Sequence, residues 1–469
     1  MSSEPDLTVG LDLGTGGARA FVVGFDGAVV GRGASSLRSL RDGAHHEQDA
    51  RTWWDAIAAA CRQALSGVEA QRVRAVATCG TSGTVLLVDG AGRPQSAALM
   101  YDDGRAGDQA RRLDLPASWG LPKLLWLLEQ DPEAAAGGTR LAHQPDIVTR
   151  RLVGHDVASD CSHALKSGYD LVERRWPDRL QRAFPDRLPA VVDSGAVLGE
   201  VCAAAAREAG LPAGAAVVAG MTDGCAAQIA AGSLQPGDWN SVLGTTLVLK
   251  GSSARHIDDR AHGIYSHRSP DGGWLPGGAS SSGAGVLPAA FPERDLEELL
   301  RRAAAHERTT VLAYPLVSGG ERFPFVAPGA ESFTLGAPAD DAEHAAALMQ
   351  GVALVERLCF AQLARIGAAT GGELSVTGGA TRSRHWCQLR ADALDRPVRR
   401  PVQVESAFGM ALLAAAAVAG DPVAEVARRA SRPAEVFEPR AGLRAHLDEQ
   451  YDRLVAELQR RGWLAGAGH

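Results

Sequence analysis

The sequence lacks the features that mark several large classes of protein. It has no C-x-x-C spacing, because its seven cysteines stand far apart, at positions 61, 79, 161, 202, 225, 359 and 387. This scatter argues against a zinc site or a disulfide framework and is typical of reduced thiols in a cytoplasmic protein. It has no dense block of Lys or Arg, and a formal net charge of −7 offers no basic field to nucleic acid.

Membrane and secretion signals are missing as well. The apolar runs are broken short of the roughly 20 residues that a membrane span needs. The opening residues, MSSEPDLTV, have neither the basic stretch nor the apolar run of a secretory signal. We therefore expect a cytoplasmic protein with no membrane association and no nucleic-acid partner.

Two common phosphate-binding patterns are absent too. No G-x-x-x-x-G-K-[ST] occurs, which excludes a P-loop protein. A glycine-rich run does occur, DLGTGGAR at 12–19, but β-type sequence follows it. A dinucleotide fingerprint needs a helix directly after its glycines, so a dinucleotide site is not expected. The 13 histidines show no metal-ligand spacing.

What is present indicates an α/β protein of two domains. A chain of 469 residues with 45% hydrophobic residues is too long for one compact core. The first part reads as strands at 7–13, 20–25 and 28–30, a helix over 52–65 with Thr52 as its N-cap, and a strand at 72–80. A hairpin that turns at Asp89-Gly90 follows.

Later elements are predicted from the same signals. Residues 105–210 read as helical segments and loops. We expect a buried strand and a short helix from 215, a strand pair at 239–251, a strand, Gly-Gly turn, helix and strand from 373, and a helix at 405–420.

One short internal repeat links the two halves. Leu13-Gly14-Thr15 recurs as Leu243-Gly244-Thr245, each time between β-type segments. Glycine permits open turns whose backbone N–H groups can approach phosphate oxygens; the alternative is a pair of plain hairpin turns. The repeat favours two similar domains, 1–232 and 233–469.

Two aspartates follow buried strands and have alternative interpretations. Asp12 either faces Mg²⁺, directly or through water, and a substrate hydroxyl, or closes an Asx turn. Asp223 is either a general base that accepts a proton from an alcohol or a helix N-cap. The small residues around Asp223 favour the first role.

A third glycine turn stands in the second half. Gly378-Gly379 lets the backbone lie flat against a planar group such as adenine, and Ser383 offers a hydroxyl to the base or ribose. The alternative is a bare turn.

Six motifs, taken in order, resemble the FGGY carbohydrate kinases of the actin- and hexokinase-like ATPase superfamily. They are GLDLGTGGARA, HHEQDARTWWDAI, LMYDDGRA, AGMTDGCAAQIAAG, SVLGTT, and VTGGATRSRHWCQLRADALDRPV followed by ESAFGMALLAA. The resemblance covers nearly the whole chain, from about Leu7 to about Gly420.

The resemblance implies two ribonuclease H-like domains around a deep interdomain cleft, where ATP with Mg²⁺ phosphorylates a sugar or polyol. It implies that Asp223 is the catalytic base and that Asp12 lies near Mg²⁺ and the sugar. The remaining implied contacts are with phosphates for Gly14, Thr15, Gly16, Arg19, Gly244, Thr245 and Thr246, and with adenosine for Gly378, Gly379 and Ser383.

Departures from the family pattern point to a substrate. Where xylulokinases usually carry Met-His and glycerol kinases Arg-Glu, this chain has Thr81-Ser82-Gly83-Thr84, and Gly16-Gly17 replace two hydroxyl residues that are frequent in the first phosphate motif. TSGTVLLVD with MYDDGRA is most similar to plant and cyanobacterial kinases of D-ribulose, which implies that Ser82 and Asp103 contact the sugar.

The prediction is thus a D-ribulose kinase acting as a monomer or homodimer, with D-xylulose or another sugar or polyol as the alternative substrate. A more distant alternative is a non-catalytic regulator on the same scaffold.

Overall fold

The computed structural model describes residues 5–465 and divides the chain into two compact units. The first contains the chain up to Gly232 together with 267–272 and 403–431, and the second contains 233–266, 273–402 and the chain from Arg432 onward. The segment 403–431, which the sequence places in the half 233–469, therefore packs in the first unit. Residues 1–4, on which part of the expectation about secretion rests, lie outside the described residues.

The strands within residues 5–465 are, in chain order, β1 Leu7–Leu13, β2 Gly17–Gly24, β3 Val29–Ser36, β4 Leu40–Asp42, β5 His45–Gln48, β6 Val73–Gly80, β7 Val85–Val88, β8 Ala98–Leu99, β9 Arg140–His143, β10 Ser159–Asp160, β11 Val191–Val192, β12 Val197–Glu200, β13 Ala216–Val218, β14 Trp239–Leu243, β15 Leu247–Gly251, β16 Tyr265–Arg268, β17 Trp274–Ala279, β18 Leu312–Tyr314, β19 Phe333–Leu335, β20 Leu374–Thr377, β21 Val398–Pro401 and β22 Pro433–Phe437.

The α-helices within the same residues are α1 Trp53–Ala64, α2 Gly107–Leu113, α3 Gly120–Gln130, α4 Pro132–Ala136, α5 Gln144–Val153, α6 Cys161–Ala164, α7 Asp178–Ala183, α8 Ala203–Ala209, α9 Asp223–Ala230, α10 Val286–Ala290, α11 Leu296–Ala303, α12 Asp341–Arg365, α13 Arg384–Leu394, α14 Ser406–Ala419, α15 Val423–Ala430 and α16 Ala441–Arg460.

The first unit is built on a six-stranded sheet in the order β12-β13-β6-β1-β2-β3. Strands β1, β2 and β3 pair antiparallel, β1 and β6 pair parallel, β6 and β13 pair parallel, and β12 closes the edge antiparallel. A smaller five-stranded sheet, β4-β5-β8-β7-β9, completes the unit. Because β1, β6 and β13 run in the same direction, their carboxyl ends lie at one edge of the sheet.

Two helices cover opposite faces of the six-stranded sheet. Gly10 and Phe21 are paired, as are Val22 and Gly31, and neighbouring residues along a strand point to opposite faces. A Cβ on Gly10 would lie 1.8 Å from the Ala407 carbonyl oxygen in α14, and one on Gly31 would lie 2.0 Å from the Ala64 oxygen at the end of α1. Glycine is therefore what lets each helix backbone lie directly against the sheet.

The second unit contains the larger part of a seven-stranded sheet, β16-β17-β15-β14-β20-β21-β22. Its pairings from β17 to β22 are antiparallel, antiparallel, parallel, parallel and antiparallel. The six-stranded sheet shows the same series when it is followed from β3 to β12. The two Gly-Thr turns occupy the same position in this series, in the β1–β2 and β14–β15 hairpins, so the two sheets share one strand pattern.

The predicted elements are found with small shifts at their ends. Thr52 stands at the N-cap position of α1, but its side chain does not cap the helix; its hydroxyl donates to the Asp49 carbonyl at 2.8 Å. The expected helix face of Trp53, Ile57 and Cys61 is buried. All seven cysteines are free in the described structure.

One helix, α12, is by length and composition long enough and apolar enough to cross a membrane, although the sequence was expected to have no such run. Of its most apolar stretch, 89% is buried within the protein. Burial of this extent is what a core helix of a folded domain shows.

Candidate active site

The two candidate carboxylates lie at the carboxyl edge of the six-stranded sheet. Asp12 stands next to last in β1, where it pairs with Cys79 of β6. Gly80, the last residue of β6, forms a parallel bridge to Thr222, which directly precedes Asp223. Adjacent parallel strands therefore end with Asp12 and Asp223 at the same edge, which is where open α/β sheets bind ligands.

Asp12 is buried to 7% exposure and held by two neighbours. The register of β1 and β2 places Arg19 directly opposite, and its Nη1 lies 3.2 Å from one carboxylate oxygen. The Cys79 thiol donates to the other oxygen at 3.5 Å. Burial and the nearby charge of Asp223 raise the pKa of Asp12, and Arg19 and Cys79 oppose that increase. Asp12 and Asp223 are thus close enough to interact electrostatically.

Asp223 is the first residue of α9 and not its N-cap, a position that Thr222 occupies. Its Oδ1 accepts a hydrogen bond from Gly224 N at 2.7 Å. Its carbonyl oxygen accepts one from the Ser406 hydroxyl at 3.1 Å, which joins the start of α9 to the start of α14. The Asp223 carboxylate therefore stands at the N-terminal end of α9, at the edge of the sheet where Asp12 also lies.

The first glycine turn joins β1 to β2. Gly14 N donates to the Gly17 carbonyl at 3.0 Å, while within residues 5–465 the N–H groups of Thr15 and Gly16 donate to no protein group. Gln48 fixes the turn from outside, because its Nε2 donates to the Thr15 carbonyl at 2.7 Å. Free amides on a fixed turn are suitable donors to phosphate oxygens.

A second turn follows β6 and contains Ser82. Thr81 and Thr84 hydroxyls lie 2.6 Å apart, and Gln144 Oε1 accepts hydrogen bonds from the N–H and the hydroxyl of Thr81. The Ser82 Oγ is buried and has no hydrogen-bond partner among the described residues. A buried hydroxyl without a partner is costly, so a ligand hydroxyl at this point would satisfy it.

Asp103 is almost completely buried, and its carboxylate is heavily engaged. It accepts hydrogen bonds from His46 N at 2.6 Å and from Arg105 N and Nε, both at 3.0 Å. Arg105 also lies 2.9 Å from Glu47. In this structure Asp103 holds Arg105 and the strand of His46 in place, and its predicted contact with a sugar stays a prediction.

The corresponding turn of the second unit, Gly244-Thr245-Thr246, is fixed by the segment after β17. Gly285 N donates to the Thr245 carbonyl at 3.0 Å, and Ala284 N donates to the Gly244 carbonyl at the same distance. A Cβ on Gly283 would lie 2.3 Å from the Thr245 oxygen. The N–H of Thr245 donates to no protein group in the described part of the chain, as is true of Thr15 in the first turn.

The glycine pair of the second unit follows β20. Gly378 has φ +90°, and a Cβ there would lie 2.5 Å from the Leu243 carbonyl oxygen, so the position requires glycine. Gly379 begins a single 3₁₀ turn, and a Cβ there would meet only the end of Arg382. Ser383 is the N-cap of α13, and its hydroxyl accepts from Trp386 N at 3.2 Å. Its O–H remains free to donate.

The donor set agrees with Mg²⁺ held mainly by phosphates. No group of three or more His, Cys, Asp or Glu side chains that could hold a metal occurs among residues 5–465. Mg²⁺ usually retains waters and is bound through one or two carboxylates and the phosphates of its substrate. Asp12, with Asp223 nearby, meets that requirement.

Several residues that build the site were not singled out from the sequence. Gln48, Gln144 and Arg105 contact backbone or side-chain atoms far from them along the chain, as in the pair Gln48 and Thr15. No local pattern encodes such contacts. The motif strings EQD and MYDDGRA contained Gln48 and Arg105, but they did not reveal what either residue touches.

Comparisons with known proteins agree with this geometry. The model of the FGGY family of carbohydrate kinases, N-terminal domain, matches residues 7–230, and that of the C-terminal domain matches residues 239–418. A xylulose kinase of Streptomyces coelicolor is 30% identical over 91% of each chain. An autoinducer-2 kinase of Yersinia enterocolitica is 29% identical over 89% of this chain and 87% of that one.

Solved structures share the fold. The xylulose kinase of Rhodospirillum rubrum superposes with a TM-score of 0.88 at 24% identity, over 97% of this chain and 99% of that one. The glycerol kinase of Plasmodium falciparum with ADP superposes with a TM-score of 0.85 at 15% identity, over 96% of this chain and 98% of that one.

The chain therefore belongs to the FGGY family of carbohydrate kinases. It is an ATP-dependent phosphotransferase that acts on a sugar and uses ATP with Mg²⁺. The expected family, fold class and enzyme class are confirmed, while the D-ribulose subgroup stays a prediction.

Proposed function

For a carbohydrate kinase with this site, we propose that the acceptor is a ketopentose, with D-ribulose first and D-xylulose second. The observation that carries the proposal is the arrangement of side chains at the carboxyl edge of the six-stranded sheet in the first unit. There Asp12 in β1 and Asp223, which directly follows the bridge from Gly80 to Thr222, stand at the same end of parallel strands, and the turn after β6 presents the unpartnered Ser82 hydroxyl.

We propose that Asp223 is the general base. The sugar hydroxyl oxygen attacks the γ-phosphorus, its O–P bond forms, and the bond from that phosphorus to the bridging oxygen of ADP breaks. The Asp223 carboxylate accepts the hydroxyl proton. General-base groups contribute about 10²- to 10⁴-fold to a rate. Mg²⁺, when bound, neutralises charge on the transferring phosphates.

Asp12 is assigned to the sugar and to Mg²⁺ or its water. Arg19 balances its charge at 3.2 Å, which keeps a carboxylate acceptable beside phosphates. Phosphate contacts are assigned to Gly14, Thr15, Gly16 and Arg19 in the first turn and to Gly244, Thr245 and Thr246 in the second. Free amides at Thr15, Gly16 and Thr245 support these roles. Gly378, Gly379 and Ser383 are assigned to adenosine.

The proposed sugar preference is supported by the turn after β6. Its side chains are short hydroxyls, and Thr81 and Thr84 are already bonded to each other and to Gln144. That leaves Ser82 as the group that can pair with a hydroxyl of an open-chain ketose, together with the predicted contact of Asp103. D-Xylulose is the second candidate because several relatives are named xylulose kinases, although the Met-His pair common in that group is absent here.

A panel of sugars tests the proposal. Purified protein with ATP and Mg²⁺ is offered D-ribulose, D-xylulose, other ketoses, aldoses, gluconate and glycerol, and ADP release is coupled to NADH oxidation. We expect the highest kcat/KM with D-ribulose and the next with D-xylulose. Turnover with other classes of acceptor but with neither ketopentose would refute the substrate proposal and leave the family assignment intact.

A further inference from the structure

Lys123 is a fully buried cation in the first unit. It lies in α3 with 0% exposure, between Leu121 and Leu124, which pack in an apolar cluster with Val85 and Leu99. A buried charged side chain is unfavourable unless it is paired or hydrogen-bonded. Lysine is also scarce here: Lys123, Lys166 and Lys250 are the only lysines among 48 basic residues.

The surroundings of Lys123 match an ammonium group. Its Nζ donates to the Met100 carbonyl at 2.6 Å, to the Gly83 carbonyl at 3.0 Å and to the Ser118 carbonyl at 3.4 Å. Three acceptors around one atom suit the three donors of an ammonium, whereas a guanidinium spreads its donors over a planar fork. Within the described residues no carboxylate lies within salt-bridge distance of Nζ.

The carbonyls belong to the turns that surround the proposed sugar site. Gly83 directly follows Ser82. The position requires glycine, because its φ is +93° and a Cβ there would lie 2.5 Å from the Ser118 carbonyl oxygen. Met100 directly precedes Tyr101, and its carbonyl also accepts from Asp103 N at 3.0 Å. One ammonium thus joins the turn of Ser82 to the turn of Asp103, although the two are far apart in sequence.

We propose that Lys123 is a positioning residue of the sugar site: its ammonium sets the distance between the turn that carries Ser82 and the turn that carries Tyr101 and Asp103. The inference rests on the proposed function, because it takes Ser82 and Asp103 as sugar-side residues. Lys123 itself is buried beneath both turns and acts on the sugar only through them. Its loss should therefore weaken sugar binding and leave ATP binding unchanged.

Protonation of Lys123 is open to change near neutral pH. The pKa of Lys123 is lowered to about 7, chiefly by burial; the charges of Asp103 and Asp102 oppose the decrease, and the charge of Lys166 adds to it. A second cation, Arg105, stacks on Trp126, which lies in α3 as Lys123 does. The charge of Arg105 is balanced by the carboxylates of Asp103 and Glu47. Above this pKa the neutral amine keeps two N–H donors for three carbonyls. The KM for sugar should therefore rise as pH increases past about 7, with the KM for ATP constant.

The test compares Lys123→Met and Lys123→Gln with the wild type, using the best ketopentose from the panel. We expect the KM for sugar to rise by more than about tenfold in Lys123→Met, the effect of losing one strong hydrogen bond, with the KM for ATP within about twofold. The rise of the wild-type KM between about pH 6 and 9 should be absent in both variants. Lys166→Met should keep that rise but move it to higher pH, since it removes a like charge.

The pKa itself can be measured in wild-type protein labelled with ¹³C at the lysine Cε, which gives one signal for each of the three lysines. Assignment uses Lys166→Met and Lys250→Met, so it does not depend on whether a Lys123 variant folds.

Folded Lys123 variants with unchanged sugar KM and an unchanged pH profile would overturn the proposal. So would a wild-type sugar KM that does not follow the titration of Lys123. Failure of the proposed function would look different, because the wild type would then turn over no ketopentose.

Discussion

At the scale of single residues, Gly16 and Gly17 differ in what a side chain would meet, although both stand where many FGGY kinases carry a hydroxyl. Gly17 starts β2 and pairs with Ser36, and a Cβ there would lie 2.4 Å from the Ser35 carbonyl oxygen. At Gly16 a Cβ would meet nothing within 4 Å. The pairing of β2 with β3 therefore forces glycine at 17 but not at 16.

We expect Gly17→Ala to destabilise the protein by about 1–3 kcal/mol, the range for forcing extra atoms into a packed site. Gly16→Ala is the matched control and should change the free energy of unfolding by less than about 0.5 kcal/mol, as exposed substitutions do. Urea unfolding followed by circular dichroism measures both. Equal stability of the two variants would show that the β2–β3 pairing does not restrict position 17.

At the scale of elements, the helix that carries Asp223 depends on a helix from much later in the chain. A Cβ on Gly409 in α14 would lie 1.9 Å from the Ala226 carbonyl oxygen in α9. The Ser406 hydroxyl, also in α14, bonds the Asp223 carbonyl. The contact between α9 and α14 therefore sets where the proposed base stands relative to Asp12.

We expect Gly409→Ala to separate α9 from α14, to lower stability by about 1–3 kcal/mol, and to reduce kcat by up to about 10²-fold, since small displacements of reacting groups are costly. Gly442→Ala, near the start of α16, is the control, because a Cβ there meets nothing within 4 Å. Thermal unfolding and kcat at saturating sugar measure both effects. A Gly409→Ala enzyme with wild-type kcat would contradict the role given to this contact.

Most of the elements could be predicted because their signals are local. The strand of Asp12, the hairpins of the two Gly-Thr turns and the start of α9 all follow from short apolar runs and turn residues. The placement of α14 could not, because only tertiary packing brings Ala407 against Gly10. The contacts of Lys123 and Gln48 could not be predicted either. Both side chains bond to backbone carbonyls that are distant in sequence, and a carbonyl leaves no sequence signal because every residue type has one.

At the scale of the whole molecule, the chain uses one strand pattern twice. Each unit has an antiparallel hairpin with a Gly-Thr turn beside a parallel strand, β6 in the first unit and β20 in the second. The first unit adds the carboxylates Asp12 and Asp223 at the sheet edge, and the second has Gly378-Gly379 after β20. Similar scaffolds would thus carry different chemistry, the proposed sugar site and base on one and the proposed adenosine contacts on the other.

The central claim is that Asp223 accepts the proton of the sugar hydroxyl, and Asp223→Asn tests it most directly, because an amide of nearly the same shape cannot act as a base. We predict that ketopentose-dependent ADP release falls by about 10²- to 10⁴-fold, while ATP binding, measured by calorimetry, stays within about twofold. Asp295→Asn, at the N-cap of α11 in the second unit, is the control and should keep full turnover. Retention of wild-type ADP release by Asp223→Asn would contradict the account.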